Sequence, residues 1–248
     1  MIRLFRPDAP EVLTPAFVDE GTARFKADGS AVWSVPEIKD ALARFSGGKC
    51  SYCELSLGEG STYLEVEHFY PKKPHDDRVL EWTNLLPACR RCNGRKGSWD
   101  VAKPGQMMVD PVSMSPSVHI RFDEAYRPVG LTAEGETSIT EIGLDDIQRL
   151  GVMRYKLGEV FKRKLEDLQT SYEGVTAATS SRSRRAVVRK VKRAVEKCGR
   201  DQPFSAVMST VLKRSAAYSA LKAAMIVAGD WDDDLIACDA VALESSLA

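Results

Sequence analysis

Nowhere in this chain does an apolar run reach the roughly 20 residues that a bilayer-spanning helix requires. The opening Met1-Ile2-Arg3-Leu4-Phe5-Arg6-Pro7 also lacks the long apolar core of a secretory signal. The expectation is a cytoplasmic protein with no membrane partner. Net charge is missing as well: 35 Lys and Arg balance 35 Asp and Glu, which argues against a globally basic nucleic-acid coat. There is no internal repeat and no low-complexity tract. Histidine is scarce, at three residues, and cysteine stops at six. What is present is ordinary for a globular chain: 248 residues with 44% apolar and 28% charged content, long enough to build a core without disulfide staples. Six cysteines in a cytosolic chain are poor disulfide candidates and better metal ligands.

Residues 1–34 show no strong period. Ser34 and Pro36, followed by Ile38, Ala41, Leu42 and Phe45, read as a capped amphipathic helix that Gly47-Gly48 ends. Val118 to Phe122 and Tyr126 to Val129 alternate around Asp123-Glu124 as a hairpin would. Beyond that the chain reads as helical. Ile147, Leu150, Leu157, Phe161, Leu165 and Leu168 share one stripe of a long helix beginning near Asp145-Asp146. Ser180 to Ser183 read as a cap and loop, and Val187, Val191, Ala194, Val195 and Cys198 mark the next helix. Phe204 to Val227 reads as a third, ending at Gly229.

Spacing separates four of the cysteines from the other two. Cys50-Ser51-Tyr52-Cys53 and Cys89-Arg90-Arg91-Cys92 are two C-x-x-C knuckles with 35 residues between them. Each two-residue gap lets the backbone turn so that both sulfurs meet one ion, and four soft thiolates suit tetrahedral zinc. Two redox dithiols or buried free thiols are the plainer alternative. Such a site is saturated, so the zinc is structural and any chemistry belongs to the insert, which is long enough to carry structure of its own. Cys198 and Cys238 lie on apolar helix faces and read as core residues.

The insert holds Glu67-His68-Phe69-Tyr70-Pro71-Lys72 after an alternating stretch over 62–69, then Trp82-Thr83-Asn84-Leu85-Leu86, with Asn93 and Lys96 following the second knuckle. Together with Lys49-Cys50-Ser51-Tyr52-Cys53-Glu54, these segments resemble the HNH (ββα-metal) nucleases in their four-cysteine zinc form. They are most similar to PtuB, the HNH subunit of Septu-type and retron-associated anti-phage systems, whose pattern runs K-C-x-Y-C-E, E-H-F-x-P-K, W-x-N-L-L, C-x-x-C-N and K. The motif block covers about 50 residues. Weaker similarity reaches the helix before Cys50, Asp110-Pro111 and the Ile142-Gly143-Leu144 turn.

The resemblance implies an α+β protein in which a ββα-metal core with a structural zinc is embedded in a mostly helical chain. It divides into 1–48 packed on the core, a nuclease core over 49–112, and a hairpin with a helical region over 113–248. Phosphodiester hydrolysis needs a water deprotonated in line with the leaving oxygen and a cation to absorb charge. His68 then corresponds to the general base, and Asn84 to the central Asn that holds the base or its loop. Glu67 and Asn93 correspond to the ligands of one Mg²⁺ or Mn²⁺ ion bridging the scissile phosphate and the leaving 3′ oxygen. Lys72, Arg90, Arg91, Arg95 and Lys96 make a basic rim for neighbouring phosphates. The family at large often carries Asp where Glu67 stands and His where Asn93 stands; both replacements keep an oxygen donor. Taken singly, Glu67 reads as a surface strand residue and the two Asn as turn residues; His75 and His119 receive no role.

The resemblance also implies a partner, an ABC/SMC-like ATPase of the PtuA kind, docked on the helical region after about 145. In a retron context a reverse transcriptase with its msDNA joins the complex. The substrate is nucleic acid, DNA or RNA: an RNA-directed nuclease acting, for example, on tRNA stays open, as does a non-catalytic zinc ribbon that binds nucleic acid or protein. Arg182 to Arg200 place nine positive charges in 19 residues against Glu196 alone, which reads equally as a solvated face and as a phosphate-tracking surface. The stretch from Asp230 to Ala248 has six acidic residues and no basic one. It either folds back on the basic helix or docks on a partner.

Overall fold

The computed structural model describes residues 1–58, 63–175 and 181–248. It divides into two compact units, Met1–Ile120 with Pro128–Asp145, and Arg121–Arg127 with Asp146–Ala248. The first unit takes in both 1–48 and 49–112 and runs on to Asp145, while Arg121–Arg127 falls with the second. The class is α+β, dominated by helices, with two small sheets.

The aperiodic N-terminal stretch folds into helix α1 (Pro15–Asp28). Thr14 caps it by accepting from the Phe17 N–H at 3.2 Å, and Gly29 at φ 76° ends it. Gly21 lies buried in its middle because a Cβ there would come within 2.4 Å of the Leu80 side chain. Helix α2 (Pro36–Phe45) buries Ile38, Ala41 and Leu42, as its period predicts. The residue ahead of it is Val35, which has no side-chain bond to offer, so the expected Ser34 cap stands one residue too early. Gly47 and Gly48, at φ 65° and 72°, turn the chain out of it.

Strands β1 (Leu64–His68) and β2 (Leu85–Cys89) pair antiparallel, with Glu65 opposite Ala88, Glu67 opposite Leu86 and His68 opposite Leu85. Position 62 of the expected strand lies outside the described residues. Helix α3 (Arg90–Lys96) follows β2 directly and completes a ββα unit. One face of the strand pair joins Val32, Ile38, Leu42, Val79, Leu80 and Trp82 in the core through Val66 and Leu85. Arg6 clamps the stretch before β2, donating to the carbonyls of Trp82 at 2.6 Å and Leu85 at 2.8 Å. A helical turn α4 (Pro116–His119) precedes the small sheet of β3 (Ile120–Phe122) and β4 (Pro128–Gly130), so the expected hairpin forms but Val118 and His119 stand in the turn that Pro116 opens. Helix α5 (Ala133–Ile142), capped by Thr132, was not foreseen from the sequence.

In the second unit a π turn over Ile147–Gly151, capped by Asp146, leads into α6 (Val152–Glu173). The wider turn offsets the register, so Ile147 is 63% exposed while Leu150, Phe161, Leu165 and Leu168 are buried as expected. Leu157, at 36%, falls on the edge of the stripe, and the buried line runs through Arg154 and Gly158 instead. Helix α7 (Ser181–Glu196) buries Val187, Val191, Ala194 and Val195, with Cys198 just beyond it. Of the cap and loop expected at 180–183, position 180 lies outside the described residues and 181–183 are already helical. The single helix expected over 204–227 is two, α8 (Ser205–Arg214) and α9 (Ala216–Val227): Ser215 leaves the helical region at ψ 113° and caps α9 through the Tyr218 N–H. Helix α10 (Asp233–Glu244) packs on α7 and α8. The acidic stretch therefore folds back: Asp230 meets Arg184 at 2.6 Å, Asp234 pairs with Lys192, and Glu244 with Arg200. Cys238 is only half-buried, whereas Cys198 is fully enclosed.

Candidate active site and metal centre

The two knuckles converge because β2 carries both. Ser51 donates its N–H at 2.9 Å and its hydroxyl at 2.7 Å to the Pro87 carbonyl, laying the first knuckle against β2. Glu54, at φ 66°, closes that knuckle by donating its N–H to the Cys50 carbonyl. Cys89 ends β2 and caps α3, accepting from the Cys92 N–H at 3.5 Å. The sulfur atoms of Cys50, Cys53, Cys89 and Cys92 all lie within 4.8 Å of one another, and all four residues are buried. Cys53 Sγ and Cys89 Sγ stand 3.8 Å apart, far beyond a disulfide bond. Burial pushes the Cys50 thiol up, while hydrogen bonds from its sulfur neighbours hold Cys89 well below the usual thiol range. Four enclosed thiolates on one point are the donor set of a structural zinc ion.

Alternation along β1 sends Val66 and His68 toward the core, and Glu65 and Glu67 toward α3. His68 is 3% exposed. Its Nε2 lies 3.0 Å from the Val79 carbonyl. A carbonyl only accepts, so Nε2 carries the proton and Nδ1 keeps the lone pair; Nδ1 is buried and makes no hydrogen bond. Trp33 sets its ring edge-on to the imidazole, with centroids 4.6 Å apart, and Lys72 Nζ stands 4.9 Å from the Trp33 ring. Burial lowers the His68 pKa to about 3, and Lys72 and Lys96 add to the effect.

Asn84 staples the loop that follows. Its Oδ1 accepts from the Tyr70 N–H at 2.7 Å, and its Nδ2 donates to the carbonyls of Tyr70 at 3.2 Å and Arg78 at 3.0 Å. Glu67 is buried against Lys96, whose Nζ lies 2.7 Å from Oε1 and also donates to the His68 carbonyl at 2.8 Å. The Tyr52 hydroxyl donates to the same Oε1 at 3.3 Å, which ties the first knuckle to this carboxylate. Burial pushes the Glu67 pKa up, with the Lys96 charge opposing it. Asn93 donates through Nδ2 to Glu65 Oε2 at 2.8 Å.

The structure thus sets Glu67 and His68 on β1, Asn84 in the turn just before β2 and Asn93 on α3, and it corrects one member of the expected rim. Lys96 is 2% exposed and spent on Glu67 and the His68 carbonyl, so it cannot reach a phosphate. Arg90 and Arg91 are exposed on the first turn of α3. Arg95 is exposed but leans on α5, donating to the Thr140 carbonyl at 3.3 Å beside Gly143. His75 pairs with Asp100 and His119 bonds Thr132, both away from this constellation in role. Three residues of this constellation carry no role in the sequence pattern: Trp33, Glu65 and Tyr52, the last quoted there only as part of the first knuckle. Glu65 was within reach of it, since it sits two positions before Glu67 on the same strand face. Trp33 carries no local signal that links it to His68.

Among the described residues no helix is long and apolar enough to cross a membrane. The HNH endonuclease family profile matches residues 50–98. The Septu protein PtuB of Bacillus thuringiensis is 33% identical over 241 residues, covering 94% of this chain and 90% of its own length. The Septu protein PtuB of Bacillus mycoides (strain KBAB4) is 29% identical over 115 residues, 35% of this chain and 39% of that protein. With the zinc knuckles, the ββα unit and near full-length similarity in agreement, the chain belongs to the PtuB family of Septu proteins and is an HNH endonuclease.

Proposed function

We propose that this nuclease is the nucleic-acid-cleaving effector of a prokaryotic anti-phage defence system, working with an ABC/SMC-like ATPase of the PtuA kind. The observation that carries the mechanism is the tautomer of His68. The Val79 carbonyl fixes the proton on Nε2, so Nδ1 keeps the lone pair that can take up a proton. That atom takes the proton of the attacking water. Asn84 acts as a positioning residue by holding the Tyr70 and Arg78 backbone around the imidazole. Glu67 and Asn93 would hold one Mg²⁺ or Mn²⁺ ion, which when bound absorbs charge on the phosphate and the leaving oxygen. The donor chemistry fits, being a carboxylate and an amide oxygen, both hard ligands. Both contacts to Glu67 fall on Oε1, so binding at Oε2 does not require Lys96 or Tyr52 to leave. Lys72, Arg90 and Arg91 supply cations for flanking phosphates.

The helices after residue 145 supply the docking face for the ATPase. Support comes from α6, where Val152, Met153, Tyr155 and Val160 are exposed, and from a groove of about 470 Å³ floored by Leu157, Phe161 and Met208 and edged by Lys164, Lys190, Arg193 and Lys197. Purified protein, with and without the co-expressed ATPase, should cut nucleic acid in Mg²⁺ or Mn²⁺, and His68→Ala should fall by at least about a hundredfold. Parallel DNA and RNA substrates identify which is cut. Equal cleavage by His68→Ala would sink the mechanism.

A further inference from the structure

Between β1 and α3 the side chains form two rungs. The inner rung joins Glu67 to Lys96 at 2.7 Å and is closed to solvent. The outer rung joins Glu65 to Asn93 at 2.8 Å, and both of its residues are half-buried. The charges do not suffice if the ion relies on the motif alone. Lys96 cancels Glu67, and Asn93 is neutral, so a dication bound by that pair would meet no net negative charge. Charge count among the ligands is a main determinant of affinity for hard cations. Glu65 supplies the missing charge.

The spacing suits the same conclusion. Octahedral Mg²⁺ with ligands at 2.0–2.1 Å sets neighbouring ligand oxygens roughly 3 Å apart, close to the Glu65 Oε2 to Asn93 Nδ2 separation of 2.8 Å. A half-turn of the Asn93 amide exchanges nitrogen for oxygen at nearly the same point. The hydrogen-bonded pair then becomes two oxygen donors set on one ion.

We propose that Glu65, which stands outside the family motif, is a ligand of the divalent ion together with Asn93 and Glu67. This rests on the one-ion reading above. Glu65→Gln is the informative change, because glutamine still accepts the Asn93 N–H and removes only the charge. Mn²⁺ binding to the zinc-loaded, full-length protein is followed by the loss of free-ion electron paramagnetic resonance signal, and zinc content is measured on the same samples. The expected result is one Mn²⁺ site in the unaltered protein, and an affinity at least about tenfold weaker in Glu65→Gln with one zinc per chain retained. Unaltered affinity in Glu65→Gln, with loss in Asn93→Ala, overturns the role of Glu65 and leaves the one-ion reading standing. No Mn²⁺ site in the unaltered protein overturns both. If Glu65→Gln loses zinc, Glu65→Asp takes its place: it keeps the charge but withdraws the carboxylate by one methylene, and it is judged by the same tenfold criterion.

Discussion

At the residue scale the telling side chain is His68. Its pKa is lowered from the ordinary 6.5 to about 3, chiefly by burial. The unfolded chain therefore binds a proton between those two values that the folded chain refuses, and stability falls as pH drops through that window. At pH 5.5 the loss attributable to His68 is about 1.4 kcal/mol, one unit below the unfolded pKa. Urea midpoints at pH 7.5 and pH 5.5 should differ more for the unaltered chain than for His68→Asn. Because both proteins keep the same zinc site, acid loss of metal cancels in the comparison. Equal losses would show that the imidazole is protonated in the fold. Lys96 teaches the converse lesson. A lysine in a run of Arg90, Arg91 and Arg95 reads as part of a basic face, yet its position on a seven-residue helix turns it inward onto Glu67. A list of charges does not contain the helical phase of so short an element. The order of the motif is enough to name His68, Glu67, Asn84 and Asn93 as candidates; Trp33 is beyond its reach, because its contact with His68 is purely tertiary.

At the scale of elements, α3 is the one that its cysteines would tie to a metal. Its seven residues are too few to hold a helix alone, and its cap is the Cys89 thiolate while Cys92 lies in its first turn. A zinc ion held by the four cysteines would fix one side of the helix, from which Asn93 and Lys96 reach β1. Cys92→Ser should reduce bound zinc from one ion per chain to near none and lower the thermal midpoint by several degrees. It should also raise amide exchange across residues 64–68 and 89–96 together, as read by hydrogen-exchange mass spectrometry. Exchange confined to the knuckles would refute the coupling between metal and site. Elements with strong periods were readable in advance: α2, α7 and most of the α6 stripe. Those that failed did so for local reasons. In α1 the apolar pattern is weak and Gly21 stands at its centre for the sake of Leu80. Gly21→Ala sets a helix-propensity gain of about 1 kcal/mol against a shift of Leu80 costing about 1–3 kcal/mol, a net loss of up to about 2 kcal/mol in chemical denaturation. The break between α8 and α9 rests on the Ser215 side chain choosing a backbone N–H over the helix, which apolar spacing cannot reveal.

At the scale of the molecule, zero net charge is a sum of opposed patches. Nine cations lie between Arg182 and Arg200. Three of them, Arg184, Lys192 and Arg200, are matched by Asp230, Asp234 and Glu244. The acidic stretch therefore works as an internal counterion, and Tyr172 reinforces it by donating to Asp230 at 2.6 Å. The stretch adds little to stability through these pairs, two of which have exposed carboxylates. Its larger effect is on the field that a polyanion meets. Asp230→Asn combined with Asp234→Asn leaves Arg184 and Lys192 without their carboxylates while keeping side-chain size. The double variant should bind duplex nucleic acid more tightly at 50 mM salt. If α7 touches phosphates, the slope of log affinity against log salt should steepen by up to about two, one for each cation released. Measured by fluorescence anisotropy across a salt series, an unchanged slope would mean that α7 faces solvent and that the cations which matter are Lys72, Arg90 and Arg91.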